Sequence, residues 1–579
     1  MRKANFCLYP FLTLICTLFA ISCNSPGLPV DVILHSGKII TVDEKNTIAE
    51  AIAIKDGNFL AIGNNAEIRG SYHAKQTIDL KGLTVIPGII EGHVHPISAS
   101  TSEHFEEIPE VKSIAELLEW VAMQAEKKPE GSWINHPKFF ATRLLEMRQP
   151  TLAELDEVAP DHPVFLDGSY GGMVNSAALS ASGIFSSTSH PGFLKHPESG
   201  DLTGMIRRSA FEVLAMDRSE KLTGVDRLAD LRELLLIYNQ VGITSITAGS
   251  GSTRDLEAFK NLRENGQLTV RVYQNIGIPF DPSHSDQEME QRLDALGYST
   301  GTGDEWVKVG ALKAMIDGGV LTGTAYLREP WGMGAREIYG ITDPDYRGVL
   351  RIDQADLERM IRVAFGKGWK FTSHVTGGGG VDVLLNAIEK VAETFDVKDK
   401  RFSIIHGNFY NTEAIHKMQM LGVYADMQPA WFLKDADLLY KVLGEERMTT
   451  FHPYRSLFDA GIVVNGGSDH MVKLDSYKSI NPFNPFLSMW SVITRQTEKG
   501  TVYNADQALT RMEALRMYTI NNAFASFEED IKGSIEPGKL ADLAVLSQNF
   551  LTCHPDSIKV IKVIMTMVDG KMVYDNGTL

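Results

Sequence analysis

The sequence predicts an α/β fold, a parallel sheet with helices packed on it, joined to a small β-domain assembled from both chain ends. Three observations carry this reading. A helix–glycine–strand unit recurs four times in the middle of the chain. Short alternating strands occupy both ends. Histidine or aspartate stands at the C-terminal end of several predicted strands. With 579 residues, 44% of them hydrophobic and 22% charged, the chain has ample core, which excludes disordered, collagenous and coiled-coil classes. A formal charge of −17 with no basic block excludes nucleic-acid binding through a cationic face.

From the N-terminus, Arg2 and Lys3 precede an apolar run over residues 6–21, with the small residues Ala20 and Ser22 close before Cys23. The run is short for a membrane span and leads into a polar turn. Residues 1–22 therefore read as a lipoprotein signal peptide, with Cys23 lipidated and the mature protein anchored outside the cytoplasm, on the periplasmic face of a bacterial membrane. Ordinary secretory cleavage and a retained anchor helix are the alternatives. Once Cys7 and Cys16 leave with the signal and Cys23 is capped, Cys553 is the one free thiol, so no intramolecular disulfide is expected.

Residues 23–87 carry short strands separated by turn residues such as Asp56, Gly57 and Asn58, and residues 529–579 read the same way. Both form a composite β-sandwich in this reading. Between them, over 88–528, predicted helices at 228–238, 357–365, 414–421 and 454–460 are closed by Gly242, Gly368, Gly422 and Gly461, each followed by an apolar run. A left-handed glycine closing a helix and feeding a β-branched run is the αβ junction of a parallel fold. Periodicity leaves barrel and open sheet unseparated. Residues of about 100–225 break the rhythm with repeated prolines and read as an insertion near the mouth of the sheet, where such segments shape a substrate pocket.

His93 and His95 end an apolar strand and, two apart, face the same side, a half-site for zinc or a similar divalent ion. His374, His406 and Asp469 close three later strands. Functional side chains gathered at the C-terminal ends of parallel strands favour the barrel.

These features resemble the amidohydrolase superfamily, in its family 3 branch that includes N-substituted formamide deformylase-like enzymes. The resemblance rests on the Pro-Gly-x-x-x-x-His-x-His run from Pro87 to His95, on His374 and His406, on Gly467, Ser468 and Asp469, on the stretch from Lys313 to Ala325, and on the stretch from Gly533 to Leu543. It implies a distorted TIM (β/α)8 barrel with the composite β-sandwich beside it. It also implies a metal set of His93, His95, Lys313, His374, His406 and Asp469, holding one or two divalent ions, with zinc the expected metal. His93, His95 and Asp469 would hold the more buried ion. His374 and His406 would hold a second ion or, with one ion only, touch substrate. Lys313 would bridge as an N6-carboxylysine; simple pairing with a carboxylate is the alternative. Asp469 would shuttle the proton in hydrolysis of a non-peptide C–N amide bond of a small molecule.

Gln428, Asn175 and Asp317 are candidate substrate contacts, with loop or supporting roles as alternatives, and Tyr326, Trp331 and Trp431 are candidates for an apolar pocket wall. Tyr170 stands where the branch's Asp-Gly-x-His segment carries histidine, which puts acyl-side recognition in doubt. His136, His162, His190, His196, His416 and His470 lack motif context and stay outside the metal set. Two rival classes remain: a lactonase or phosphotriesterase on the same cradle, and a catalytically silent ligand-binding lipoprotein. A homo-oligomer is compatible with either.

Overall fold

The computed structural model describes residues 27–216 and 222–579; the expected signal peptide and lipidation site, residues 1–22 and Cys23, lie outside the described residues. Among the described residues, no helix is long and apolar enough to cross a membrane.

Eight parallel strands form one sheet in sequence order: β1 (Ile89–Val94), β2 (Ile243–Gly251), β3 (Arg271–Gly277), β4 (Val307–Met315), β5 (Phe371–Val375), β6 (Ser403–His406), β7 (Tyr424–Met427) and β8 (Val464–Gly466). Register is parallel throughout, as in Ile246↔Val272, Gln274↔Val309, Ser373↔Ile404 and Ala425↔Val464. The sheet closes on itself just past β8. There Asp469 N–H donates to the His93 carbonyl and His95 N–H to the His470 carbonyl, each at 2.8 Å. The predicted barrel is therefore present, and closed by the very residues that carry its candidate chemistry. The four junction glycines Gly242, Gly368, Gly422 and Gly461 all adopt left-handed φ, between 67° and 85°, as the helix–strand switch requires.

The helices feeding these strands start where the sequence supplies caps. Thr223 and Asp226 form a reciprocal capping box on the helix Gly224–Gln240, and Ser252 and Asp255 do the same for Thr253–Glu264. Each buries an apolar stripe, Leu231, Leu234, Leu235 and Tyr238 in the first, in the core shared with the outer faces of the strands.

Both chain ends meet in one six-stranded sheet, where Val545 of Leu543–Leu546 pairs with Val85 of Thr84–Pro87. A four-stranded sheet from residues 28–79 packs against it through Leu34, Ile52, Ile54 and Phe59. Arg271 of β3 ties this unit to the barrel through a buried bidentate pair with Asp542 (2.8 and 3.1 Å). Between β1 and β2 the proline-rich stretch builds its own five-stranded mixed sheet, from Ile134–His136 to Leu202–Arg207, and reaches over the mouth of the barrel.

Candidate metal centre

The end of β1 sets the centre. Period two along the strand places Glu91, His93 and His95 on one face, toward the barrel axis. Two glycines make room for them. A Cβ at Gly249 of β2 would lie 2.6 Å from His93 Cε1 and 3.1 Å from His95 Cε1. One at Gly467 would lie 2.6 Å from the His93 backbone nitrogen. Barrel closure then delivers Asp469, whose Oδ1 stands 3.2 Å from His95 Nε2 and 3.6 Å from His93 Nε2. One ligand atom from each of His93, His95 and Asp469 falls within 4.8 Å of the others. Asp469 holds this position with φ +57°, and His406 is held at +74°; non-glycine residues adopt this region only where the surroundings enforce it.

Lys313, on β4, lies with Nζ 3.1 Å from His93 Nε2, while Lys308 on the opposite parity pairs with Glu528 at 2.6 Å. Burial lowers Lys313 to about 8, which leaves a fraction of neutral amine at physiological pH. The rings of His374 and His406 sit 4.6 Å apart beside the centre, outside the three-residue cluster.

The electrostatics suit a cation. Burial holds His93 and His374 well below the usual imidazole range and His406 at about 4, so they present lone pairs rather than charges. Burial pushes the Asp469 carboxyl up, but the hydrogen bond from His95 and the neighbouring His406 and Lys313 outweigh it and hold it at about 2. Deeper in the barrel, burial raises Glu91 to about 8 and Asp426 to about 7. His93 Nδ1 is buried without a hydrogen-bond partner, 3.9 Å from Asp426 Oδ2. Two neutral imidazoles and one anionic carboxylate within mutual reach fit a divalent ion of the zinc type.

Three candidate substrate contacts are corrected. Asn175 is fully buried and caps the helix Ser176–Ala181. Its Oδ1 accepts from Val164 N (2.9 Å) and Ala178 N (3.0 Å), and its Nδ2 donates to the carbonyls of Ala159 and His162 (3.0 and 2.9 Å). No capacity is left for a ligand. Asn175→Ala is expected to cost about 2–3 kcal/mol of stability, since four buried backbone groups lose a partner, with kcat unchanged; thermal unfolding beside steady-state kinetics checks this. Gln428 faces His406, not the cavity: Oε1 accepts from Nδ1 at 2.7 Å while Nε2 donates to Asp426 Oδ1 at 2.9 Å. It fixes the His406 tautomer so that Nε2 carries the free lone pair. Gln428→Leu is expected to cut activity about 10–100-fold without unfolding the protein, a typical effect of losing a ligand's supporting bond; kinetics and metal content check this. Asp317 is also buried, accepting from the backbone N–H groups of Tyr326 (3.0 Å), Thr376 (2.9 Å) and Gly377 (2.7 Å), and organises the loop behind His374.

A cavity of about 310 Å³ opens from the centre, walled by His95, Lys313, His374, His406 and Asp469 on the barrel side. The inserted sheet supplies Lys138, Phe140, Ser169, Tyr170 and Arg208. Of the three aromatic candidates only Trp431 lines it; Trp331 is core, and Tyr326 lies behind. Tyr170, a departure from the branch's motif, is a wall residue with its hydroxyl 3.2 Å from His374 Nε2. Glu91 and Asp426 join the centre beyond the residues the motifs mark, although the parity of Glu91-x-His93 and Asp426-x-Gln428 points to both. His470 points away, bonded to Tyr238 Oη (2.9 Å) and the Lys473 carbonyl (2.7 Å).

The profile of the amidohydrolase family matches residues 76–574, which takes in the whole barrel with its insertion and the C-terminal part of the composite β-unit. The chain belongs to the amidohydrolase family. N-substituted formamide deformylase of Arthrobacter pascens is 28% identical over 561 residues, covering 94% of this chain and 98% of the relative. The fold is shared with an uncharacterized metal-dependent hydrolase of Pyrococcus horikoshii (TM-score 0.67, 22% identity, 91% of this chain and 99% of that one). It is shared too with the zinc complex of atrazine chlorohydrolase TrzN of Arthrobacter aurescens (TM-score 0.53, 15% identity, 94% and 95%). By family, then, this chain is a hydrolase of the amidohydrolase type.

Proposed function

We propose that this amidohydrolase cleaves the C–N bond of a small-molecule amide, with Asp469 as the proton shuttle. The observation that carries this reading is the convergence of His93, His95 and Asp469 within 4.8 Å, with His95 and Asp469 on the cavity wall. His93, His95 and Asp469 would hold a divalent ion, with zinc the leading candidate, and Lys313 as carbamate with His374 and His406 would complete the set for a second. When bound, such an ion acts as a Lewis acid and lowers the pKa of water toward neutrality. Asp469, anionic and within reach of His95, accepts the proton of the attacking water and returns it to the departing nitrogen. His406, its tautomer set by Gln428, keeps Nε2 free for a ligand or substrate atom. The Tyr170 hydroxyl, raised above its ordinary pKa by burial, stays protonated and donates to a substrate carbonyl oxygen; His374 Nε2 beside it already donates to the Gly318 carbonyl at 2.9 Å.

The 28% identity to an N-substituted formamide deformylase over nearly full length supports an amide rather than an ester. Matched N-substituted formamides and formate esters, assayed with the metal-loaded protein, test the bond. Turnover of the formamides is expected; turnover of esters or lactones alone would transfer the site to the rival hydrolase class. The extracytoplasmic, lipid-anchored location through Cys23 is part of the same proposal, resting on the leader sequence. Membrane-fraction mass spectrometry of the N-terminal peptide tests it.

A further inference from the structure

We propose that the substrate carries a carboxylate, received at the cavity rim by Lys138, Arg208 and Arg351. This rests on the hydrolase reading above and adds the class of substrate. The first ground is charge. The protein as a whole is at −17, yet the charged residues walling the cavity are Lys138, Arg208, Lys313 and Arg351 against Asp469 alone. Lys313 belongs to the metal centre; the other three have no part there. A cationic cleft in an acidic protein concentrates field where an anion must enter.

The second ground is geometry. All three converge on the dipeptide beside His374. Lys138 Nζ donates to Ser169 Oγ at 2.7 Å, Arg208 Nη1 to the Ser169 carbonyl at 3.2 Å, and the Arg351 guanidinium lies 5.4 Å from the centre of the Tyr170 ring. The Tyr170 hydroxyl in turn reaches His374. An anionic group held there lies in the same cavity as His374 and Asp469, so one small substrate can meet both.

The third ground is that these cations are unspent. Among the described residues none of the three forms an ion pair. The neighbouring Arg143, by contrast, is committed to Asp435 (2.8 Å), and Arg207 to the carbonyls of Thr322 and Tyr339. Lys138 and Ser169 are also held at φ +58° and +71°, backbone strain that a structural linker would shed by using glycine and that functional positions retain. A planar guanidinium presents paired donors that match a carboxylate, so Arg351, whose head makes no hydrogen bond among the described residues, is the natural partner.

Equilibrium titration of the metal-loaded protein with N-acetylphenylalanine, with N-acetylphenethylamine, which lacks only the carboxylate, and with the phosphonate counterpart tests this, alongside turnover of each. The carboxylate probe is expected to bind about tenfold or more tightly than the uncharged one, the scale of one charge-assisted hydrogen bond. Arg351→Gln and Lys138→Met should each erase most of that preference, and thermal unfolding of both variants controls for folding. Equal or tighter binding of the uncharged amide overturns the proposal. So does a preference that survives both variants and their combination with Arg208→Gln, since the carboxylate would then be held elsewhere. A phosphonate preference overturns the carboxylate assignment. Carboxylate-selective binding with no hydrolysis of any probe counts against the hydrolase reading and leaves this recognition standing.

Discussion

Asp469→Asn is expected to lower kcat by about 10³-fold, within the 10²–10⁴ range that a positioned general acid–base contributes. The carboxamide is nearly isosteric, and the backbone bond from Asp469 N–H to the His93 carbonyl is untouched, so the closure of the barrel survives. What is lost is a proton acceptor and one anionic atom of the candidate metal set, so metal content is measured beside the rate. Burial pushes the Asp469 carboxyl up, but the hydrogen bond from His95, with His406 and Lys313 nearby, outweighs it and holds the group anionic, at about 2. Because its folded pKa is depressed, the acceptor form is fully present above the ordinary carboxylate range and is lost only as pH falls toward 2. The acid limb of the wild-type rate therefore reports other groups. Wild type and the Asp469→Asn variant are accordingly compared at neutral pH, by steady-state kinetics on the formamide probe. A retained kcat would remove Asp469 from proton transfer.

The second large effect is on the metal. His93→Ala is expected to abolish tight binding of the buried ion and with it all measurable turnover, because His93 is the one imidazole flanked at once by Asp469 (3.6 Å), Lys313 (3.1 Å) and Asp426 (3.9 Å). A softer probe reaches the same ring without deleting it. In Gly249→Ala the new methyl lies 2.6 Å from His93 Cε1, well inside contact distance, so the imidazole must turn or β2 must shift. Gly249→Ala is expected to lower metal affinity about 10–100-fold, as other perturbations of ligand orientation do. Metal content after dialysis against a graded chelator checks both variants. Equal metal retention in His93→Ala and wild type would contradict the assignment of this ligand.

Most of the barrel is legible in the chain because its grammar is local. Gly242, Gly368, Gly422 and Gly461 announce helix ends through a conformation that other residues avoid, and all four adopt it. His93 and His95 announce a shared face through period two. Which distant strand ends converge is not local. Periodicity shows His374, His406 and Asp469 each at a strand end but not which of them meet; their grouping comes from the family resemblance. In the structure, closure of β8 onto β1 brings Asp469 within 4.8 Å of the first two histidines, with His374 and His406 beside them.

The same limit explains the corrections. Asn175, Gln428 and Asp317 lie in the right segments, and motif position alone cannot say whether a polar side chain faces the cavity or the chain behind it. Asn175 meets four backbone groups, Asp317 three, and Gln428 meets His406. Buried amides and carboxylates satisfy themselves on the backbone wherever loops cross, and such crossings are tertiary events. Glu91 and Asp426 are readable by parity, since each stands two residues before a polar group already singled out. Lys138, Arg208 and Arg351 are not, because they come from the insertion and from a loop far along the chain, and only the fold brings them to one rim.

Hydrolysis here depends, in this reading, on a divalent metal held by His93, His95 and Asp469. Counting metal ions per chain by elemental mass spectrometry, in wild type, His93→Ala and Lys313→Ala, tests that dependence most directly. At least one tightly held divalent ion is expected in wild type and is lost with His93; a further ion, where present, is lost with Lys313. A wild-type protein that holds no divalent metal after reconstitution, or holds it equally well without His93, would contradict it.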